Sequence, residues 1–213
     1  MSKKGKFIVF EGLDGCGKTT QLQLLQDRIS TICKKHKCFE TREPSDSVPG
    51  LICRGVSKES IFVESETEAL LYAADRNEHI VKEILPQLNK GNHVLCDRYY
   101  FSNFAYQTLS CDINNLLSYN KTAMDLLKAD VTIFIDVSPE ECEKRRSLKR
   151  ATKELYEKVE QAKIIRSNYL EAFDRLKDTE KIIIINGEGS ANQIFETIWL
   201  KLVKDIFEDD DLL

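Results

Sequence analysis

Apolar and polar positions along the chain switch repeatedly between a strand period and a helix period. Lys6 to Glu11 (KFIVFE) is a short β-branched and aromatic run that reads as a strand. A glycine-rich turn follows, and from Lys18 to about Ser30 the residues Leu22, Leu24, Leu25 and Ile29 recur at helical spacing. Cys38 to Arg42 reads as a second strand, ending in a loop that contains Pro44, Ser45, Asp46 and Pro49. A long helical pattern covers Glu66 to Asn89, with Pro86 expected to bend or end it. Gly91-Asn92 turns the chain into a strand at His93 to Asp97. Ile113 to Lys128 reads as helix, Val131 to Val137 as strand, and Pro139 opens another helix in its first turn. Two basic-rich helical stretches run from Glu140 to Arg150 and from about Glu154 to Lys177. Ile182 to Ile185 makes the last strand and Ala191 to Phe207 the closing helix. Five short strands separated by helices imply a three-layer α/β fold, a parallel sheet covered on both faces. In such sheets ligands collect at the carboxyl ends of the strands.

Composition narrows this picture without redirecting it. The 213 residues, 42% of them apolar, suit a single domain spanning 1–213. A net charge of −4 with interspersed signs leaves no footprint for general nucleic-acid binding, so any phosphate-binding charge is local. Seven cysteines without a CxxC pair fit neither a disulfide framework nor a zinc site, and Cys96 inside an apolar run reads as a buried small hydrophobe. No signal segment and no apolar stretch of membrane length stands out, so a reducing cytoplasm is the expected compartment. The acidic tail at 208–213 reads as frayed and solvated.

Residues Gly12-x4-Gly17-Lys18-Thr19 match the Walker A pattern between a strand and a helix. Gly12, Gly15 and Gly17 let backbone N–H groups approach phosphate oxygens. The helix beginning near Lys18 adds its positive dipole end. Lys18 can reach the β- and γ-phosphates, and the Thr19 hydroxyl can ligate Mg2+. The loop Gly12, Leu13, Asp14, Gly15, Cys16, Gly17, Lys18, Thr19 and Thr20 is therefore the expected segment for binding a nucleoside triphosphate, in a P-loop NTPase fold. By itself it does not choose between kinase, GTPase and motor ATPase.

The remaining motifs make that choice. There is no DxxG switch and no NKxD segment, as a GTPase would need. The chain instead carries Thr41-Arg42-Glu43-Pro44 and Arg54, Tyr72-Ala73-Ala74-Asp75-Arg76, and Asp97-Arg98-Tyr99 followed by Ser102-Asn103-Phe104-Ala105-Tyr106-Gln107. In order and spacing these segments resemble the thymidylate kinases, which phosphorylate dTMP to dTDP. The resemblance runs over nearly the whole chain, including a basic lid at about 142–156. It implies that Asp14 faces the acceptor 3′-hydroxyl and that Arg54 and Arg98 clamp the acceptor phosphate, with Glu43 in the same site. It implies that Tyr72 stacks on thymine, Arg76 reaches the base O4, and Tyr106 crowds the sugar 2′ carbon. Asn103 or Gln107 would read the pyrimidine edge, with Ser102 lining the pocket. Asp97 would sit near the metal in an orienting role.

Members of this family neutralise the transferring phosphoryl group with an arginine from the P-loop or from the lid. Position 15 is glycine, so the search moves to Lys144-Arg145-Arg146-x-x-Lys149-Arg150. Arg146 and Arg150 are the candidates, because four-residue spacing puts them on one helical face. Ser45 and Glu154-Leu155-Tyr156-Glu157 depart from the family pattern. Adenine is expected against lid residues and the loop after Ile185. The expected activity is thus a Mg2+-dependent transfer from ATP to dTMP by a homodimer. The alternatives are a kinase for another nucleoside monophosphate or a deoxynucleoside, and a nucleotide-binding regulatory protein without catalysis.

Overall fold

A computed structural model describes residues 5–32, 37–146 and 153–207, with side chains of the last segment from Lys158 onward. The five expected strands are present: β1 (Phe7–Glu11), β2 (Cys38–Arg42), β3 (His93–Asp97), β4 (Val131–Asp136) and β5 (Ile182–Asn186). They form one parallel sheet in the order β2-β3-β1-β4-β5. β1 and β4 are apolar almost throughout because helices cover both faces of the central strands.

Nine α-helices surround the sheet among the described residues: α1 (Lys18–Ile32), α2 (Val48–Ser57), α3 (Ser65–His79), α4 (Leu85–Asn89), α5 (Tyr100–Gln107), α6 (Ile113–Leu126), α7 (Pro139–Arg146), α8 (Lys153–Leu176) and α9 (Ala191–Asp205). Two were not expected from periodicity. Pro49 at the start of α2 read as part of a loop, yet Ser47 caps the helix by accepting from Gly50 N (3.1 Å) and Pro49 lies in its first turn. In α5 the N-cap Tyr99 offers no side-chain cap, and the cap comes from β1 instead. The buried carboxylate of Glu11 accepts from Tyr99 N (2.8 Å) and Ser102 N (3.1 Å).

The pattern from Glu66 to Asn89 is one helix interrupted rather than ended. A π-helical turn at Ile80–Ile84 joins α3 to α4, with Leu85 N bonded to Ile80 O. Pro86 has no N–H and its ring would strike the carbonyl four residues earlier; the wider turn relieves that conflict. Strand register then sets the site. Phe10 pairs with Asp97 and Glu11 with Phe134, so the ends of β1, β3 and β4 lie side by side. Arg98 N bonds to Phe10 O and Glu43 N to Asp97 O (both 2.9 Å), which stitches together the loops after β1, β2 and β3. Of the expected lid, residues 147–152 lie outside the described residues, as do Arg150 and the tail 208–213.

Candidate active site

Among the cavities at the carboxyl edge of the sheet, two share Asp14 and Arg98 in their walls. The larger, about 640 Å³, is lined by the loop from Asp14 to Gln21, by Asp97 and Arg98, by Glu141 and Arg145 of α7, and by Gly189, Ala191 and Ile194. Seven of the nine expected ATP-binding residues line it. Gly12 and Leu13 do not; their carbonyls accept the Lys18 ammonium at 3.1 and 3.2 Å. Lys18 Nζ also lies 4.0 Å from Asp97 Oδ1. That Asp97 oxygen is buried and has no hydrogen-bond partner among the described residues.

Gly15 has φ +89°, where a side chain is strained, and a Cβ there would lie 2.5 Å from Cys142 O and 2.8 Å from Arg146 Cγ. The aliphatic stem of Arg146 therefore already covers the loop at the position that lacks an arginine. Its guanidinium is half exposed and meets Glu143 at 3.3 Å. Arg145, which sequence reasoning did not single out, bridges the two walls of the larger cavity. It is held by Glu141 (3.0 Å) and donates to Cys16 O (3.3 Å) and Gly187 O (3.1 Å).

The smaller cavity, about 320 Å³, is lined by Asp14, Glu43, Pro44, Ser57, Glu68, Tyr72, Arg76, Arg98, Tyr99, Ser102, Asn103, Tyr106 and Gln107. Every expected acceptor residue except Arg54 is in that wall. Arg54 instead holds the loop after β2. It donates to Pro44 O (2.9 Å) and Ser45 O and pairs with Asp46 at 3.0 Å. Ser45 is fixed from the other side by Asp75, which accepts from Ser45 N (2.8 Å), Ser45 Oγ (2.5 Å) and Ser47 Oγ (2.6 Å). The serine that departs from the family pattern thus supplies an extra anchor for this loop.

Arg98 stands where the two cavities meet, in an unusual backbone conformation (φ +74°). Its guanidinium donates to Asp14 Oδ1 (2.6 Å), Ser102 Oγ (2.8 Å), Tyr106 Oη (3.1 Å) and Tyr169 Oη (3.2 Å). Ser102 and Tyr169 in turn donate to Glu11 Oε2, at 2.6 and 2.9 Å. Glu11 and Tyr169 were missed in the sequence because Glu11 passes for a strand terminus and Tyr169 for one more core aromatic. Burial pushes the Glu11 carboxyl above its ordinary value, with Arg98 pulling the other way. Burial would also raise Asp14, but Arg98 and Lys18 outweigh it and hold that carboxyl below the usual value.

At the far end Arg76, almost fully buried, binds Glu43 through Nε (2.8 Å) and Nη2 (2.7 Å), and donates to Asn120 Oδ1. Its longer contacts go to Tyr99 O (3.3 Å) and Asn103 Oδ1 (3.5 Å). Both contacts are made to Glu43 Oε2, and the other carboxylate oxygen, Oε1, meets His79 Nδ1 at 3.3 Å. Tyr72 donates to or accepts from Ser57 at 2.7 Å, its ring forming part of the wall.

A family model described as "Thymidylate kinase" matches residues 10–198. A probable thymidylate kinase of Pyrococcus horikoshii is 38% identical over 207 residues, covering 94% of this chain and 97% of that one. A thymidylate kinase of Caldicellulosiruptor saccharolyticus is 34% identical over 96% of this chain and 98% of its own. One of Mycoplasmoides gallisepticum is 36% identical over 92% and 93%. With the P-loop, the two adjoining cavities and similarity of this extent, the chain belongs to the thymidylate kinase family.

Proposed function

We propose that the protein transfers the γ-phosphoryl group of ATP to dTMP, giving dTDP and ADP. The observation that carries this reading is the Asp14–Arg98 pair, 2.6 Å apart, which lines both cavities at once. A nucleoside triphosphate seated on the P-loop and a monophosphate in the smaller cavity would meet at that pair. Arg98 then holds the acceptor phosphate, and Asp14 exchanges its arginine contact for the sugar 3′-hydroxyl. An acceptor phosphate is already nucleophilic, so positioning and charge neutralisation carry the catalysis.

The other roles follow the same layout. Lys18 leaves its loop carbonyls for the β- and γ-phosphates. Arg146 extends from its seat on Gly15 toward the transferring group, with Arg150 the second candidate for that task. Arg145 supports a place for adenine between α7 and the loop after β5. Tyr72 lies against the base, Arg76 and the amides of Asn103 and Gln107 at its edge, and Tyr106 and Ser102 beside the sugar. Arg54 acts on the acceptor phosphate through the Glu43–Asp46 loop that it holds.

The donor set also fits a hard divalent cation. The unpartnered Asp97 oxygen and Thr19 are the groups to hold Mg2+. Among the described residues no cluster of three metal-ligating side chains occurs, so the nucleotide's own phosphates would complete the shell, as is usual for Mg2+. When bound, the ion supplies charge neutralisation at the donor phosphates.

No helix among the described residues is long and apolar enough to cross a membrane. A homodimer is what the family resemblance implies. Kinases for other acceptors and a non-catalytic regulator are not favoured by the family match. The test is ADP formation with ATP and Mg2+ over a panel of nucleoside monophosphates and nucleosides. Preference for dTMP is expected. Preference for AMP, UMP or thymidine would overturn the acceptor assignment, and no turnover with any acceptor would favour the regulator.

A further inference from the structure

The base end of the smaller cavity contains a chain of side-chain amides whose two ends are chemically unambiguous. At one end is Arg76, which can only donate. It donates to Asn120 Oδ1, and Asn120 spends both amide hydrogens, on Leu116 O (2.8 Å) and on Asn103 Oδ1 (2.8 Å). Asn103 Nδ2 then donates to Gln107 Oε1 (3.1 Å), and Gln107 Nε2 points to Glu68 Oε1 (3.5 Å). At this other end is a carboxylate, which when ionised can only accept. The order of donors and acceptors from α6 through α5 to α3 is thereby fixed. Reversing Gln107 would set Nε2 against Asn103 Nδ2 and Oε1 against the Glu68 carboxylate, two repulsive contacts in place of two attractive ones.

That orientation matters for base choice. Thymine and uracil present an N3–H donor beside the O4 acceptor, whereas cytosine presents an N3 acceptor beside an amino donor. A glutamine free to rotate can satisfy either edge; a glutamine held in one orientation satisfies one. We propose that Glu68 and Asn120 are specificity-determining positioning residues, which fix the Gln107 amide so that the cavity selects an N3–H pyrimidine against cytosine. The proposal rests on the dTMP reading of this cavity and adds the source of its discrimination. Asn120 is fully buried and lies outside the cavity wall, so it acts through the Asn103 and Arg76 side chains that it holds.

The experiment compares kcat/KM for dTMP and dCMP in the wild type, in Glu68→Gln and in Glu68→Ala. Glu68 is only partly buried and lies on a helix that accepts either residue, so both variants are expected to fold. Losing the orienting hydrogen bond in Glu68→Ala should lower the dTMP-to-dCMP ratio of kcat/KM by about tenfold, and Glu68→Gln, whose amide can still accept but no longer accepts only, should lower it less. A merely structural role would lower both values together and leave the ratio unmoved, and that result would overturn the proposal. Wild-type protein without turnover of dTMP would overturn the acceptor assignment and the lock with it. Wild-type preference for dTMP with an unmoved ratio in the variants would overturn the lock alone.

Discussion

At the scale of single residues, the site depends on where positive charge can be delivered. Gly15 cannot carry a side chain without strain and without striking Cys142 O, so the loop has given up that position to the stem of Arg146. Arg146→Ala is expected to lower kcat by about 10³-fold with a much smaller change in the KM for dTMP. Steady-state rates at saturating ATP would check this, and near-normal turnover would remove Arg146 from the mechanism. Gly15→Ala is expected to destabilise the fold by about 1–3 kcal/mol through its backbone conformation alone, read as a lower midpoint in urea. Lys18, Thr19 and Arg98 line the larger cavity, and the sequence could bring them there because each lies just beyond a strand whose end is fixed by local pattern. The surroundings of Arg54 were not legible there: its partners Pro44, Ser45 and Asp46 are near in sequence but are brought round it only by the turn of the loop.

At the scale of elements, loops and helices are held by carboxylates supplied from elsewhere in the fold. Asp75 on α3 accepts three hydrogen bonds from Ser45 and Ser47, and so ties α3 to the loop that carries Glu43. Asp75→Ala leaves those buried donors without a partner. It should cost about 2–4 kcal/mol of stability and raise the KM for dTMP more than it lowers kcat. Denaturation curves and steady-state kinetics on the same preparation would show both effects, and an unchanged KM would separate this loop from acceptor binding. Glu11 does the corresponding task for α5, capping it across 88 residues of sequence. No local signal announces such a cap, which is why α5 was not expected although its apolar residues were in view.

At the scale of the whole molecule, buried charge makes stability depend on pH. Burial disfavours a charged His79, but its hydrogen bond and ion pair with Glu43, helped by Glu83 and Asp75, prevail and raise its pKa above 6.5. Its folded pKa exceeds the unfolded one, so the stabilisation is complete below about pH 6.5 and is lost as pH rises through the folded pKa. His79→Gln should therefore narrow the difference in thermal midpoint between pH 6 and pH 9. A variant with the wild-type pH dependence would show that another group is responsible. Glu11, whose carboxyl is raised by burial, contributes with the same sign.

The sequence alone determined the five strands, their parallel arrangement and the phosphate loop, because these depend on contiguous apolar runs and on glycines within a few residues of one another. Its motifs also carried the family and most of the residues that line the smaller cavity. Only the tertiary structure decided which groups are partners. Glu11 with Arg98 through Ser102 and Tyr169, Arg145 across to Gly187, and Asn120 with Asn103 are all contacts between different elements of the fold. The physical reason is that a hydrogen bond is set by distance and direction in space. Local periodicity says which side of an element faces the core, and strand register and helix packing say what it meets there.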